Sequence, residues 1–369
     1  MHFSNLANLS VLASALLVAA HPGHHEERDA LQMRSYKRSL AHGLQKCSPT
    51  LEASGVHARA EARRRALVDV QRRQLLQTRD TADVLNKSHK STRPNISPFS
   101  PEDYLFENDK NICLLGPSPE GETGPYWLPG EYVRSRVREN EPGVPVVVEQ
   151  QFVDAETCEP IPNLWTEIWG CNATGVYSGL VAEGNGNSAD LSNHNTSFLR
   201  GLQQTDREGV VLFDTLFPGH YADRTTHYHN VVHVNATLLP NNTLAGGGLG
   251  RVAHIGQIFW DQDLIEAVES TYPYNTNNIT ITPNAEDRVF QVETDGYASD
   301  PVLNYAMLGD SLEDGLFAWI TVVVNMSAIH YPYYTNVWTA EGGEAVNGTS
   351  DGDYRAIDGG LPSTTTAAN

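Results

Sequence analysis

Beyond residue 93 the sequence contains one lysine, Lys110. That stretch carries 10 Lys+Arg against 37 Asp+Glu, which excludes a surface made to grip nucleic acid or an anionic membrane. The four cysteines, Cys47, Cys113, Cys158 and Cys171, include no CxxC pair, so a structural zinc site is not expected. No internal repeat is present. Long apolar runs are missing as well. The stretch Leu9–Ala20 is short for a membrane span and ends in small residues before His21. This is the pattern of a secretory signal, although only His2 stands where a positive residue is usual.

What is present fits an exported globular protein. Hydrophobic residues make up 40% of the 369, enough for a sizeable core. Nine Asn-x-Ser/Thr sites lie beyond the apolar run, at Asn86, Asn95, Asn172, Asn195, Asn235, Asn241, Asn278, Asn325 and Asn347. They predict N-glycans on the surface. An even cysteine count in an exported chain predicts two disulfides. Cys158 with Cys171 is the favoured pair, because the 12 residues between them suit a turn and a strand.

Charge divides the chain. Residues 21–93 hold 15 Lys+Arg against 8 Asp+Glu, the reverse of the balance beyond residue 93. Within them, Leu51 to Leu76 lacks proline and has a loose helical spacing of apolar residues, predicting one basic helix. Lys37–Arg38 and Arg63–Arg65 resemble processing sites, so the segment reads either as a propeptide or as a helix packed on the main domain. Ser88–Pro101 reads as a linker. From about Cys113, short β-branched runs alternate with Gly, Pro, Asn and Asp. Val144–Phe152, Trp165–Trp169, Gly209–Phe213, Tyr228–Val234 and Ala318–Val324 read as strands, and Asp263–Ser270 as a short helix. The expected fold is all-β: a β-sandwich with long loops, preceded by a helical segment. The expected divisions are a signal at 1–20, the basic segment and linker at 21–93, the sandwich at 94–330 and an extension with a frayed tail at 331–369. Gly246–Gly248 mark a loop within the Asn241–Gly250 insertion, a lid or rim in this reading.

The sharpest local pattern is His227-Tyr228-His229. On a strand, residues two apart share a face, so both imidazoles can reach one ion. Several sites begin this way. A zinc hydrolase would recruit His233 on the same face as a third ligand. A cupin needs a glutamate shortly after the second histidine, and the next one is Glu266. A non-catalytic carbohydrate-binding sandwich is a further alternative, with Trp127, Trp165, Trp169, Trp260, Trp319 and Trp338 as stacking platforms.

The surrounding sequence resembles a known family. The segment Pro218-Gly219-x-Tyr221-x-x-Arg224-x-x-His227-x-His229 is similar to the core motif of the intradiol ring-cleavage dioxygenases, in the form of their secreted branch. Ile168-Trp169-Gly170-Cys171 through Tyr177-Ser178-Gly179 resembles their first metal-tyrosine segment. Gly124-Pro125-Tyr126, Phe198-Leu199-Arg200-Gly201, Thr205-Asp206-x-x-Gly209, His254-x-Gly256-Gln257, Gly309-Asp310 and Asp314-Gly315-Leu316 come in the family's order. The resemblance runs from about Cys113 to Asn325. It implies an Fe(3+) ion held by Tyr177, Tyr221, His227 and His229. It also implies that Arg224 stabilises anionic character, that Gln257 orients solvent or supports a ligand, and that Tyr126 stands at the substrate mouth. The implied substrates are a catechol-type aromatic diol and O2. The implied product is a muconate-type diacid, formed by opening the ring between the hydroxylated carbons, with Tyr221 yielding its place to the diol. Two phenolates beside two neutral imidazoles suit hard iron(III), and their formation releases protons.

Overall fold

The computed structural model describes residues 26–78, 124–182, 184–186, 189–244, 251–294, 301–330, 334 and 336–345. The apolar run Leu9–Ala20, the linker, Cys113, the sites at Asn86, Asn95 and Asn347, Gly246–Gly248 and the tail lie outside the described residues.

Two four-stranded sheets form the domain. The first is ordered β4 (Val210–Leu216), β1 (Pro145–Asp154), β8 (Leu316–Val324), β7 (Asn304–Met307). The second is ordered β3 (Arg200–Gln204), β2 (Trp165–Trp169), β5 (His227–Val234), β6 (Arg251–Phe259). All pairings in these sheets are antiparallel except β1 with β8. A hairpin of β9 (Asn336–Thr339) and β10 (Gly342–Ala345) lies outside both.

Period-two alternation builds the inner core. Val146, Val148 and Phe152 of β1 and Leu316, Ala318, Ile320 and Val322 of β8 turn inward. They meet Ile168, Tyr228, Val232 and Ile258 from the second sheet. The other face of the first sheet is covered too. Val147, Phe317 and Trp319 pack on Val68, Val323 on Leu40, and Val153 on Cys47, Leu51 and Val56.

Those covering residues come from two helices, α1 (Glu26–Ala53) and α2 (Val56–Thr78). The single helix expected over Leu51–Leu76 is therefore two, broken at Ser54–Gly55, where Gly55 has φ +73°. A left-handed residue at that point turns the chain back on itself. The hairpin is anchored by charge. Arg63 and Arg64 each donate to the buried carboxylate of Glu149 at 3.0 Å. Arg64 and Lys37 are themselves buried.

The hairpin is also anchored covalently. Cys47 of α1 is disulfide-bonded to Cys158 in the turn after β1, with Cα atoms 4.9 Å apart. This corrects the expected Cys158–Cys171 pairing. Cys158 packs on the helix side of the first sheet, whereas Cys171 comes after β2 and packs beyond the second. The sandwich separates them. Cys171 is a buried thiol donating to the Gly219 carbonyl at 3.2 Å.

Candidate active site

The outer face of the second sheet carries the site. His227 and His229 alternate with Tyr228, which points into the inner core. Cross-strand register sets Trp169 and Gln257 on either side of His229. The two Nε2 atoms lie 3.1 Å apart. His227 is oriented by its Nδ1, which donates to the Thr225 carbonyl at 2.6 Å and so leaves the Nε2 lone pair directed at the site.

Both tyrosines come from loops. Tyr177 lies after β2, and Asn185 clamps its backbone at both ends. The Asn185 Oδ1 accepts from the Tyr177 N–H at 2.8 Å, and its Nδ2 donates to the Tyr177 carbonyl at 2.9 Å. Tyr221 precedes β5. Two glycines press the loops together. A Cβ on Gly175, whose φ is +83°, would meet the His220 carbonyl oxygen at 2.1 Å, and one on Gly219 would meet that of Ala173 at 2.4 Å. The Tyr177 hydroxyl comes to 3.1 Å from the His229 Nε2, and the Tyr221 hydroxyl to 3.1 Å from the His227 Nε2. Two oxygens and two nitrogens thus gather at one buried point.

That donor set fits a metal ion. Bonds of about 2.0–2.1 Å leave neighbouring ligand atoms about 3 Å apart. Burial pushes both phenols up, Tyr177 well above the ordinary tyrosine range, with Tyr221 adding to the effect there. Only a strong local cation will ionise them.

Arg224 lies beside Tyr221, its Nη1 at 3.4 Å from the phenol oxygen. Asp287 holds it from behind, accepting from Nε at 2.8 Å. Gln257 accepts from Nη2. Asp287 also accepts from the backbone N–H groups of Thr225 at 2.8 Å and Phe290 at 2.7 Å. It precedes the short helix Arg288–Thr294 and is fully buried. Sequence reading passed over Asp287, because nothing in its spacing ties it to Arg224, 63 residues away. Tyr126 completes the wall, its ring centroid 4.9 Å from that of Tyr177 and 6.3 Å from that of Tyr221.

His233 is directed elsewhere. The strand shifts register between Val232 and His233, and the His233 Nε2 meets the Glu167 carboxylate at 2.9 Å. Among the described residues, no three His, Cys, Asp or Glu side chains gather where they would hold an ion. The zinc-hydrolase alternative therefore lacks its third ligand. Of the six tryptophans of the carbohydrate-binding alternative, Trp127, Trp165, Trp169, Trp260 and Trp319 are buried, and Trp338 is half-buried with its ring edge-on to Tyr132.

The dioxygenase family model matches residues 124–238. An intradiol ring-cleavage dioxygenase from Tetranychus urticae is 32% identical, with 97% of its chain and 59% of this one covered at a TM-score of 0.46. A second solved structure, the dioxygenase Tetur07g02040, is 31% identical, with 100% of its chain and 62% of this one covered at a TM-score of 0.47. Identity sustained over nearly the whole of both relatives decides the matter. This chain belongs to the intradiol ring-cleavage dioxygenases. No curated protein sequence matches it. The family match on residues 124–238 contains Tyr177, Tyr221, His227 and His229 of this candidate site, and Arg224 with them. Asp287 and Gln257 fall outside it and reach Arg224 through the fold.

Proposed function

We propose that this dioxygenase is an exported iron(III) enzyme that opens a catechol-type ring between its two hydroxylated carbons, giving a muconate-type diacid. The observation that carries this reading is the convergence of the Tyr177 and Tyr221 hydroxyls with the Nε2 atoms of His227 and His229, each contact at 3.1 Å. These four side chains would hold the metal. A bound ferric ion would supply Lewis acidity, drawing electron density from the diol.

The chain's own groups do the rest. Tyr177 and Tyr221 give up their protons on loading, so metal uptake acidifies the medium. The Nδ1 proton of His227, committed to the Thr225 carbonyl, fixes the tautomer whose Nε2 lone pair faces the site. Arg224 holds its positive charge 3.4 Å from the Tyr221 oxygen, where it would stabilise anionic character. Asp287 and Gln257 fix the guanidinium, so no reorganisation is needed at that moment. The Tyr126 ring packs beside the diol and excludes water.

Export is supported by the Cys47–Cys158 disulfide, which belongs to an oxidising compartment. Glycans have surface to occupy, since Asn195, Asn235, Asn241 and Asn278 reach solvent. Asn172 is engaged instead, donating to Glu141 at 3.1 Å.

The test is optical. Purified protein loaded with iron(III) should show a red-brown tyrosinate charge-transfer band. Catechol or hydroxyquinol added under air should shift it, with oxygen uptake after the shift. Tyr177→Phe and His227→Ala should each lose iron or colour while remaining folded. A fully loaded yet colourless protein would overturn the assignment of the ligands.

A further inference from the structure

Behind the Tyr126–Tyr177 wall lies a buried guanidinium that the reaction itself does not use. Arg200 stands at the start of β3 and is only 2% exposed. Its Nη2 donates to the Tyr126 carbonyl at 2.6 Å. Its Nε donates to both the carbonyl and the hydroxyl of Ser178, the residue after Tyr177, at 3.1 Å each. Its Nη1 donates to Glu131 at 2.9 Å. Its charge also sits 5.9 Å from the centre of the Tyr177 ring, within cation–π range.

The attachments matter because of what they join. Tyr126 and Tyr177 belong to segments some 50 residues apart and meet ring against ring. The rings are tilted 36° to each other, and such a contact by itself does not fix how the two segments are placed. The guanidinium plane supplies what it lacks: donors fixed in one rigid fork, two aimed at the main chain behind the two rings. Glu131 closes the fork from the far side, and burial with the neighbouring Glu167 pushes its carboxyl well above the usual range. Beyond it, Glu167 is gripped by the Trp127 indole at 2.7 Å and by His233 at 2.9 Å. The fork is therefore seated in a buried, hydrogen-bonded bed.

We propose that Arg200 is a positioning residue for the active-site wall, setting the placement of Tyr126 relative to Tyr177 and hence the width of the slot that receives the aromatic ring. The slot's role rests on the function proposed above; the coupling of the two segments does not. Lysine at this position keeps the charge but cannot reach both main chains at once.

Hydrogen exchange and steady-state kinetics on the full-length protein separate the possibilities, using Arg200→Lys and the milder Glu131→Gln. Exchange should rise about tenfold in residues 124–131 and 175–182 together in Arg200→Lys, and less in Glu131→Gln, with α2 and β8 unchanged. KM for catechol should rise several-fold while kcat of the iron-loaded enzyme falls less than twofold. Exchange that rises evenly across the protein, or in neither segment, would overturn the proposal, as would an unchanged KM. If the wild-type protein turns over no diol and the paired exchange response still appears, the fault lies with the proposed function and the coupling stands.

Discussion

Trp169 lies flat against His229, with ring centroids 4.6 Å apart and planes 4° from parallel. The neighbouring His227 is steered by a hydrogen bond to Thr225, and His229 carries this stacked face. Orientation of a ligand ring by its surroundings is usually worth about 10–100-fold in metal affinity. Trp169→Leu should therefore speed iron loss to a chelator by about 10- to 100-fold, and Trp169→Phe, which keeps a face, by much less. Equal stripping rates in the three proteins would show that the stack does not orient the ligand.

Asp287 should matter to turnover more than to metal content. Asp287→Asn preserves shape but removes the charge that aims Arg224. Misplacing a charged group by about an ångström typically costs about 100-fold, so kcat should drop by roughly 10- to 100-fold with iron stoichiometry unchanged. Wild-type kcat in the Asp287→Asn enzyme would show that Gln257 alone suffices to hold the guanidinium.

Closing a loop of 111 residues, the Cys47–Cys158 bond removes much freedom from the unfolded chain. The entropic model gives about 4–5 kcal/mol, or roughly 10–15 °C in Tm for a domain of this size. Cys47→Ser should show a loss of that order by calorimetry. A Tm within a degree or two of wild type would mean that the ion pairs and apolar contacts of the hairpin are sufficient alone.

His254 is fully buried on β6, and among the described residues neither ring nitrogen has a hydrogen-bond partner. Burial, helped by nearby His330, pushes its pKa from 6.5 down to about 3. The unfolded chain then binds a proton that the folded one refuses. Its contribution to stability is complete above pH 6.5 and is lost progressively as pH falls towards 3. Urea midpoints taken from about pH 7 to about pH 4 should fall less steeply in His254→Leu than in wild type. Parallel curves would place the acid sensitivity elsewhere.

Periodicity made the inner strands and the candidate histidine pair legible. Val144–Phe152 and Trp165–Trp169 announced β1 and β2, and the two-residue spacing put His227 and His229 on one face. Long-range partnerships were not legible, because sequence spacing carries no signal for them. Asp287 finds Arg224 only after helix Gln262–Glu269 and the loop beyond it have folded back. Cys47 finds Cys158 only once the helical hairpin lies on the first sheet. His233 shared the ligand face by counting, but the register shift and Glu167 drew it away.

The back-to-back contact at Gly175 and Gly219 leaves the main chains bearing the two phenols no room to move closer. On the function proposed above, a diol oxygen taking the place of Tyr221 would meet a loop that cannot give inward, so room for it would come from the side chain's own torsions.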